Sequence, residues 1–497
     1  NECLVVNDSY SNDITSLRIA LDFMHQQSAG FKRTVILSEF FETDRTDRVL
    51  YEAVTDLLSL YKITRAIVIG EKIAEFILPK SDGQLSVQSY LSTDDFIRDF
   101  RASSFFREII LIKGARKFEF ERIAQLFERK LHQTVLEVNL DALAHNLKHY
   151  QKLLHPGTKV MAMVKAFAYG SGGAEIAGVL QFHNTDYLGV AYADEGADLV
   201  KAGIRIPIMV MNTEESSFRA IIDYNLEPTL FSYDMLKKFE AYLKQQGLSH
   251  YPVHIEVETG MNRLGFALNE IGSLADLLSS GETFTIRSVF THLAASEDAS
   301  QDGFTNEQVR IFLEAINILS KEISYPFLKH IANSAAIVRH PQLQLDMVRL
   351  GIGLYGVDVA HKKLKGLKTV ATLRSTIAQL KKVNNGDSVS YNRKGVVHRN
   401  SIIATVRIGY ADGYFRQFGN GVGKMLVRGK MAPVIGTVCM DMTMIDVTDI
   451  PDVIEGDDVI IFGSELPVHE VASWANTISY ELMTAISQRV KRIYYHE

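Results

Sequence analysis

Short apolar runs separated by amphipathic stretches recur through most of this chain, and their alternation leaves few folds open. From residue 4 to about 130 the runs LVV, TVILS, AIVIG and EIILIKG alternate with helical patterns such as VLYEAVTDLLSLY and FERIAQLFERKL. Strands each followed by a helix pair in parallel, with the helices as crossovers. The turn-rich segment LPKSDGQLS reads as a loop inside this unit, which closes near Leu131. A second series begins with TVLEVNLDALAHNLKHY and continues through VMAMVKA, YLGVAYA, IPIMVM, EPTLFS, VHIEVETG, IRSVFTHLA and LDMVRLGIGLYG. Seven or eight such units over roughly 230 residues fit a TIM (β/α)8 barrel. Beyond about residue 370, SVSYNRKGVV, SIIATVRIGYADGYF, KMLVRGKMAPVIGTVCMDMTMIDVT and DDVIIFG alternate with period two between short Gly and Asp turns, which predicts an antiparallel β domain. The expected organisation is an α/β fold with a Rossmann-like domain over 1–131, a barrel over 132–370 and a β domain over 371–497.

Composition narrows the function. Of 497 residues 46% are hydrophobic and 23% charged, enough apolar side chain for more than one core. Lys+Arg 53 against Asp+Glu 59 gives a net charge of -6, without the basic excess that nucleic-acid or anionic-membrane binding needs, so the expected partner is a small molecule. The two cysteines, Cys3 and Cys439, stand far apart and in no metal-ligand spacing, which predicts neither disulfides nor a zinc site and fits a reducing cytoplasm. No apolar run of about 18 residues and no signal-peptide pattern occurs, so a soluble protein is expected. The sequence opens on Asn1 and at once reads as a strand, which predicts that upstream sequence is missing.

In VMAMVKAFAYGSGG, Lys165 directly follows an apolar strand and precedes Gly170, Gly172 and Gly173. In a barrel the C-terminal ends of strands form the active face. A partly desolvated amine there, near other cations, loses its proton readily and attacks an aldehyde such as that of pyridoxal phosphate. Tyr169, four residues on, can return to bond a phosphate. The plainer reading of Lys165 is a solvated loop lysine.

The segment VKAFAYGSG resembles the cofactor-lysine motif of alanine racemases, VKANAYGHG, with Phe167 and Ser171 in place of Asn and His. Six further blocks follow in that family's order over residues 133–497. The resemblance implies a pyridoxal phosphate barrel, a following β domain, and a homodimer whose subunits complete each other's active sites. In VHIEVETGMNRLG it implies that Arg263 lies near the substrate carboxylate and the cofactor's phenolic oxygen. The family's carbamylated lysine, seven positions earlier, is here Glu256, a ready-made anion expected to orient Arg263. VFTHLAASED makes His292 a ring contact, and HIANSAA makes Ser334 a phosphate donor rather than a plain helix cap. In MVRLGIGLYG the resemblance implies that Arg349 faces the pyridine nitrogen while Gly351 and Ile352 offer amides to the phosphate. Arginine does not readily give up a proton, which weakens the cofactor as an electron sink and favours prompt reprotonation over transamination.

In RIGYADGYF the resemblance makes Tyr410 the second catalytic base, since racemisation needs bases on opposite faces of Cα. A phenol titrates near 10, so cations such as His292 or Arg349 are expected to assist it. Met440 of TVCMDM corresponds to a methionine whose backbone lies near the substrate carboxylate, and Tyr480 of NTISYELMTAISQRVKRIY to a gate residue at the phosphate. Core packing is the alternative for Met440 and both tyrosines.

NDSYSND, SEF, AIVIGEK and IILIKGARKFEFERI resemble, over about residues 4–131, the C-terminal domain of the Mur ligase that adds D-alanyl-D-alanine to UDP-MurNAc-tripeptide. No GxxxxGK[ST] loop occurs, so ATP-driven ligation would reside in absent upstream domains, and the arrangement resembles a ligase–racemase fusion of which this chain retains the racemase. An unrelated α/β module is the alternative reading of residues 1–131. The expected activity is interconversion of L- and D-alanine, supplying D-alanine for peptidoglycan. Its rivals are a decarboxylase of the same architecture, which the GYADGY block disfavours, and a non-catalytic pyridoxal phosphate-binding or structural domain.

Overall fold

The computed structural model describes residues 3–8, 13–27, 31–41, 46–77, 85–100, 104–127, 133–358 and 364–496. Residues 9–12 of NDSYSND and 78–84 of LPKSDGQLS lie outside the described residues. The chain divides into two compact units, Asn1–Leu131 and His132–Glu497.

The first unit is a five-stranded parallel sheet in the order β1-β5-β2-β3-β4, built from β1 (Leu4–Asn7), β2 (Lys32–Ser38), β3 (Arg65–Ile69), β4 (Ser86–Tyr90) and β5 (Glu108–Lys113). Helices Ile14–Gln27, Asp47–Leu60, Glu71–Ile77 and Thr93–Asp99 connect the strands in turn. Both faces are covered, which explains why the inner strands β3 and β5 are nearly continuous apolar runs. Val35, Leu37, Val68 and Leu111 enter one core, while Ile36, Ile67, Ile110 and Ile112 enter another.

The second unit holds eight parallel strands: β7 (Lys159–Met163), β8 (Tyr187–Val190), β9 (Ile208–Val210), β10 (Glu227–Leu230), β11 (Tyr251–Glu256), β12 (Phe284–Phe290), β13 (Leu328–His330) and β14 (Met347–Leu350). They run in sequence order, and β14 returns to pair with β7 through Met347↔Lys159 and Leu350↔Ala162. Backbone bonds from Asp346 N to Lys329 O at 3.1 Å and from Arg349 N to Ala332 O at 2.9 Å join β13 to β14 and close the barrel.

The opening strand of the second series is not part of that barrel. β6 (Val135–Asn139) pairs antiparallel with β15 (Ala371–Val383) and parallel with Lys491–Tyr495, so it belongs to the C-terminal sheet. The barrel reaches eight with β13, whose three residues are too few to show a period. Because of the β6 pairing to Lys491–Tyr495, the C-terminal sheet is mixed rather than purely antiparallel. One continuous apolar core, from Leu136 through the barrel to Val490, unites barrel and sheet. At the end of β6, the Asn139 side chain accepts the Ala142 amide at 2.8 Å and caps the helix Leu140–Gln151 that leads to the barrel. Among the described residues no helix is long and apolar enough to cross a membrane.

Candidate active site

Lys165 stands two residues beyond the end of β7, at the C-terminal mouth of the barrel. The chain then makes a left-handed turn, with φ of 51°, 55°, 51° and 54° at Ala166, Phe167, Ala168 and Tyr169. Left-handed residues other than glycine cost about 1–2 kcal/mol each, so the turn needs support. Its own amides supply part: Ala168 N donates to Val164 O at 2.9 Å and Gly170 N to Ala166 O at 3.0 Å. Glu195 accepts the Ala166 amide at 2.6 Å through one oxygen and the Ala191 amide at 2.7 Å through the other. From the far end of the chain, Arg492 Nε donates to Gly170 O at 2.9 Å, with its guanidinium 5.4 Å from the Phe167 ring centroid. The turn brings Tyr169 back into the barrel mouth, buried, with its ring 4.7 Å from Tyr355 and 5.9 Å from Tyr480.

A cavity of about 680 Å³ opens there, lined among others by Lys165, Tyr169, Arg263, His292, Ser334, Arg349, Gly351 and Tyr480. One wall is a polar cradle. Ser334 Oγ accepts the Gly351 amide at 2.9 Å and the Gly353 amide at 3.4 Å, while a Cβ on Gly351 would come within 2.9 Å of the Tyr169 hydroxyl. Asn333 holds Ser334 in place by accepting the Ala336 amide at 3.0 Å and the Ser296 hydroxyl at 2.8 Å. Ile352 is fully buried behind this wall.

Arg349 occupies the barrel axis side. Its Nη1 donates to His330 Nδ1 at 2.8 Å and His330 O at 3.1 Å, and its Nη2 to Thr291 O at 2.7 Å and Ile331 O at 3.3 Å. The terminal N–H groups are thereby committed to the protein, which leaves Nε–H for a ligand. Nη2 also approaches His292 Nδ1 at 3.5 Å.

The charges act on each other across this space. Burial lowers the Lys165 pKa, and the charges of Arg263 and Arg349 lower it further against the opposing pull of Glu195. Burial and the same two arginines push His292 down to about 3. His292 is therefore an uncharged ring near neutral pH, and the expectation that it serves as a cation is corrected. Burial raises the Glu256 carboxyl, with Arg263 and Arg349 working in the opposite sense. Glu256 is thus within electrostatic reach of Arg263, although the two form no ion pair among the described residues.

Tyr410 and Met440 are not gathered into this cavity. They are 41% and 53% exposed, side by side in loops beside the C-terminal sheet, where Tyr410 N donates to Cys439 O and Ala411 N to Met440 O, each at 3.0 Å. Their loop is built on the buried Asp412, whose carboxylate accepts the Gly409 amide at 2.9 Å and Arg489 Nε at 2.7 Å. Sequence reasoning missed Glu195 and Arg492, which bond backbone 29 and 322 residues away, and Arg489, whose guanidinium reaches the Asp412 carboxylate 77 residues away. It also missed Asn333, whose cap position inside HIANSAA was a usable signal.

The comparisons with known proteins follow the same boundaries. Residues 138–359 match the family described as alanine racemase, N-terminal domain, and residues 370–494 the family described as alanine racemase, C-terminal domain. An alanine racemase of Desulforamulus reducens is 38% identical over 365 residues, which span 72% of this chain and 98% of that protein. The solved alanine racemase of Clostridium difficile 630 is 35% identical with a TM-score of 0.69, over 74% of this chain and 96% of that one. The structure of alanine racemase from Bartonella henselae with covalently bound pyridoxal phosphate is 29% identical with a TM-score of 0.68, over 73% of this chain and 100% of that one.

Proposed function

The chain belongs to the alanine racemase family, and from that premise we propose how its own residues interconvert L- and D-alanine with pyridoxal phosphate. The observation that carries the reading is the placement of Lys165, with its lowered pKa, in one cavity with Arg349 and the Ser334–Gly351 cradle. These residues fit the group. Ser334, the Gly351 and Ile352 amides, Tyr169 and Tyr480 would hold its phosphate, and glycine at 351 keeps a Cβ from crowding the Tyr169 hydroxyl. His292 would lie against its ring, and Arg349 Nε–H would face the ring nitrogen. When bound, pyridoxal phosphate supplies an aldehyde that captures an amine and a ring that accepts the electrons of the Cα–H bond.

As a free amine, Lys165 would take or deliver a proton at the substrate Cα from one face. Its depressed pKa leaves that amine available. Arg263 holds the carboxylate together with the Met440 backbone of a second copy, and Glu256 supplies the nearby anion that offsets Arg263. Tyr410 moves the proton at the opposite face. Being exposed and outside the cavity of its own chain, it acts in the cavity of a second copy, so the working unit is a homodimer with shared sites. The product serves as the D-alanine supply for peptidoglycan.

A mixing experiment tests this. Lys165→Ala and Tyr410→Phe are each expected to lose nearly all D-alanine formation. Mixed and allowed to exchange subunits, they should recover about a quarter of the wild-type sites, because each heterodimer carries one intact site. No recovery despite exchange would place both bases in one chain.

For residues 1–131 we propose the ligase C-terminal role, supported by the sequence resemblance and the parallel α/β sheet. ATP-dependent addition of D-alanyl-D-alanine is not expected of these residues by themselves, which carry no GxxxxGK[ST] loop.

A further inference from the structure

Five consecutive barrel strands each place one polar side chain in a single buried arc. Glu227 comes from β10, His254 from β11, Ser288 from β12, His330 from β13 and Arg349 from β14. None is more than 7% exposed. Barrel interiors are normally filled by Val, Ile and Leu, so an unbroken polar arc of this length calls for a cause. The contacts are continuous: Arg349 Nη1 to His330 Nδ1 at 2.8 Å, His330 Nε2 to Ser288 Oγ at 2.7 Å, Ser288 Oγ to His254 Nδ1 at 2.6 Å, and His254 Nε2 to Glu227 at 2.9 Å.

Arginine fixes the direction of every bond. A guanidinium only donates, so His330 Nδ1 must accept and His330 carries its hydrogen on Nε2. That hydrogen goes to Ser288 Oγ, so the Ser288 hydroxyl must donate onward to His254 Nδ1. His254 in turn carries its hydrogen on Nε2 and donates it to the Glu227 carboxylate. Independently, burial and the charge of Arg349 push the His330 pKa well down, in keeping with a single ring hydrogen. Phe290 packs on both members at the site end, stacked 5.1 Å from His330 and 5.2 Å from the Arg349 guanidinium.

We propose that Glu227, His254, Ser288 and His330 are positioning residues, a one-directional hydrogen-bond relay that anchors the Arg349 guanidinium and turns its Nε–H toward the cofactor ring. The proposal rests on the reading that Arg349 meets the ring nitrogen. The negative end at Glu227 makes each acceptor along the arc stronger, so that Arg349 is held by Nη1 at an angle set four strands away. The bound ring then meets an arginine donor of fixed orientation.

The test uses ¹⁵N NMR of the histidine rings together with the cofactor's visible absorption. In the full chain without cofactor, His330 and His254 should both show the Nε2–H form. Ser288→Ala cuts the arc and should mix the His330 tautomers, shift the absorption of the loaded enzyme and lower kcat about tenfold, with KM for alanine within about twofold. Glu227→Gln keeps the shape and one carbonyl acceptor while removing the charge, so it is the second variant should Ser288→Ala fail to fold, and should move the absorption in the same direction by less. An Nδ1–H form of His330 would overturn the relay. Intact tautomers in the wild type with absorption and kcat unmoved in folded variants would overturn its action on the cofactor, while the racemase reading stands on the Lys165 experiment.

Discussion

Glu195 and Ala166 are joined by a 2.6 Å bond from the Ala166 amide to the Glu195 carboxylate, and this bond ties the residue after the candidate base to the neighbouring strand end. The same carboxylate accepts the amide of Ala191, beyond β8. Removing it leaves a left-handed turn of four residues with one fewer support. Glu195→Ala is expected to lower stability by about 1–3 kcal/mol and to weaken pyridoxal phosphate retention, with Glu195→Gln in between. Urea midpoints and cofactor dissociation by dialysis check this, and a variant equal to wild type in both would remove Glu195 from the support of the turn.

Gly170 and Gly157 both have positive φ, 82° and 86°, but differ in surroundings. A Cβ on Gly170 would lie 2.3 Å from Met483 O, whereas one on Gly157 meets nothing within 4 Å. Gly157→Ala should therefore cost about 1 kcal/mol for backbone strain alone, and Gly170→Ala clearly more, since the Tyr480 helix must also move. Equal losses in thermal unfolding would mean that the close approach to Met483 carries no cost.

Acid should destabilise the second unit through His292. Its ring titrates at about 3 in the fold and near 6.5 in the unfolded chain. Between those values the unfolded chain binds a proton that the folded chain does not, so stability falls as pH drops through the window. Glu256, raised in the fold, acts in the opposite sense just above 4.5. His292→Gln is expected to flatten the decline of the urea midpoint between pH 6.5 and 4.5, and an unchanged slope would assign the acid sensitivity elsewhere.

Asp412 and Arg489 offer a lever on Tyr410 without touching it. Asp412 is fully buried and Arg489 is its ion-pair partner at 2.7 Å. Arg489→Met would remove this charge-assisted bond, at a cost of about 1–3 kcal/mol, since the arginine is partly exposed. Racemisation should fall further than cofactor binding, because Tyr410 and not the cavity loses its support. A parallel fall in both would show that the pair is only a general fold element.

Much of the site could be read locally. Lys165 followed a strand-like run, and Arg263, His292, Ser334 and Arg349 each sat in a recognisable block at a strand end, where barrels keep their chemistry. The misassigned strand shows the limit. Val135–Asn139 carries the same apolar signature as a barrel strand, and only its pairing with Ala371 and Lys491 places it in the other sheet. Tyr410 was a candidate from its block, and its exposure outside its own chain's cavity is visible only in the structure.

The sequence by itself determined the parallel α/β texture, the barrel and the candidate reactive groups, because side-chain periodicity and the residue types of a motif are local properties. Tertiary structure alone decided which groups meet: the Arg492 bond to Gly170, 322 residues away, the arc from Glu227 to Arg349, and the depressed pKa of His292. Hydrogen-bond direction, desolvation and charge coupling depend on distances between strands far apart in sequence, and those distances exist only once the barrel has closed.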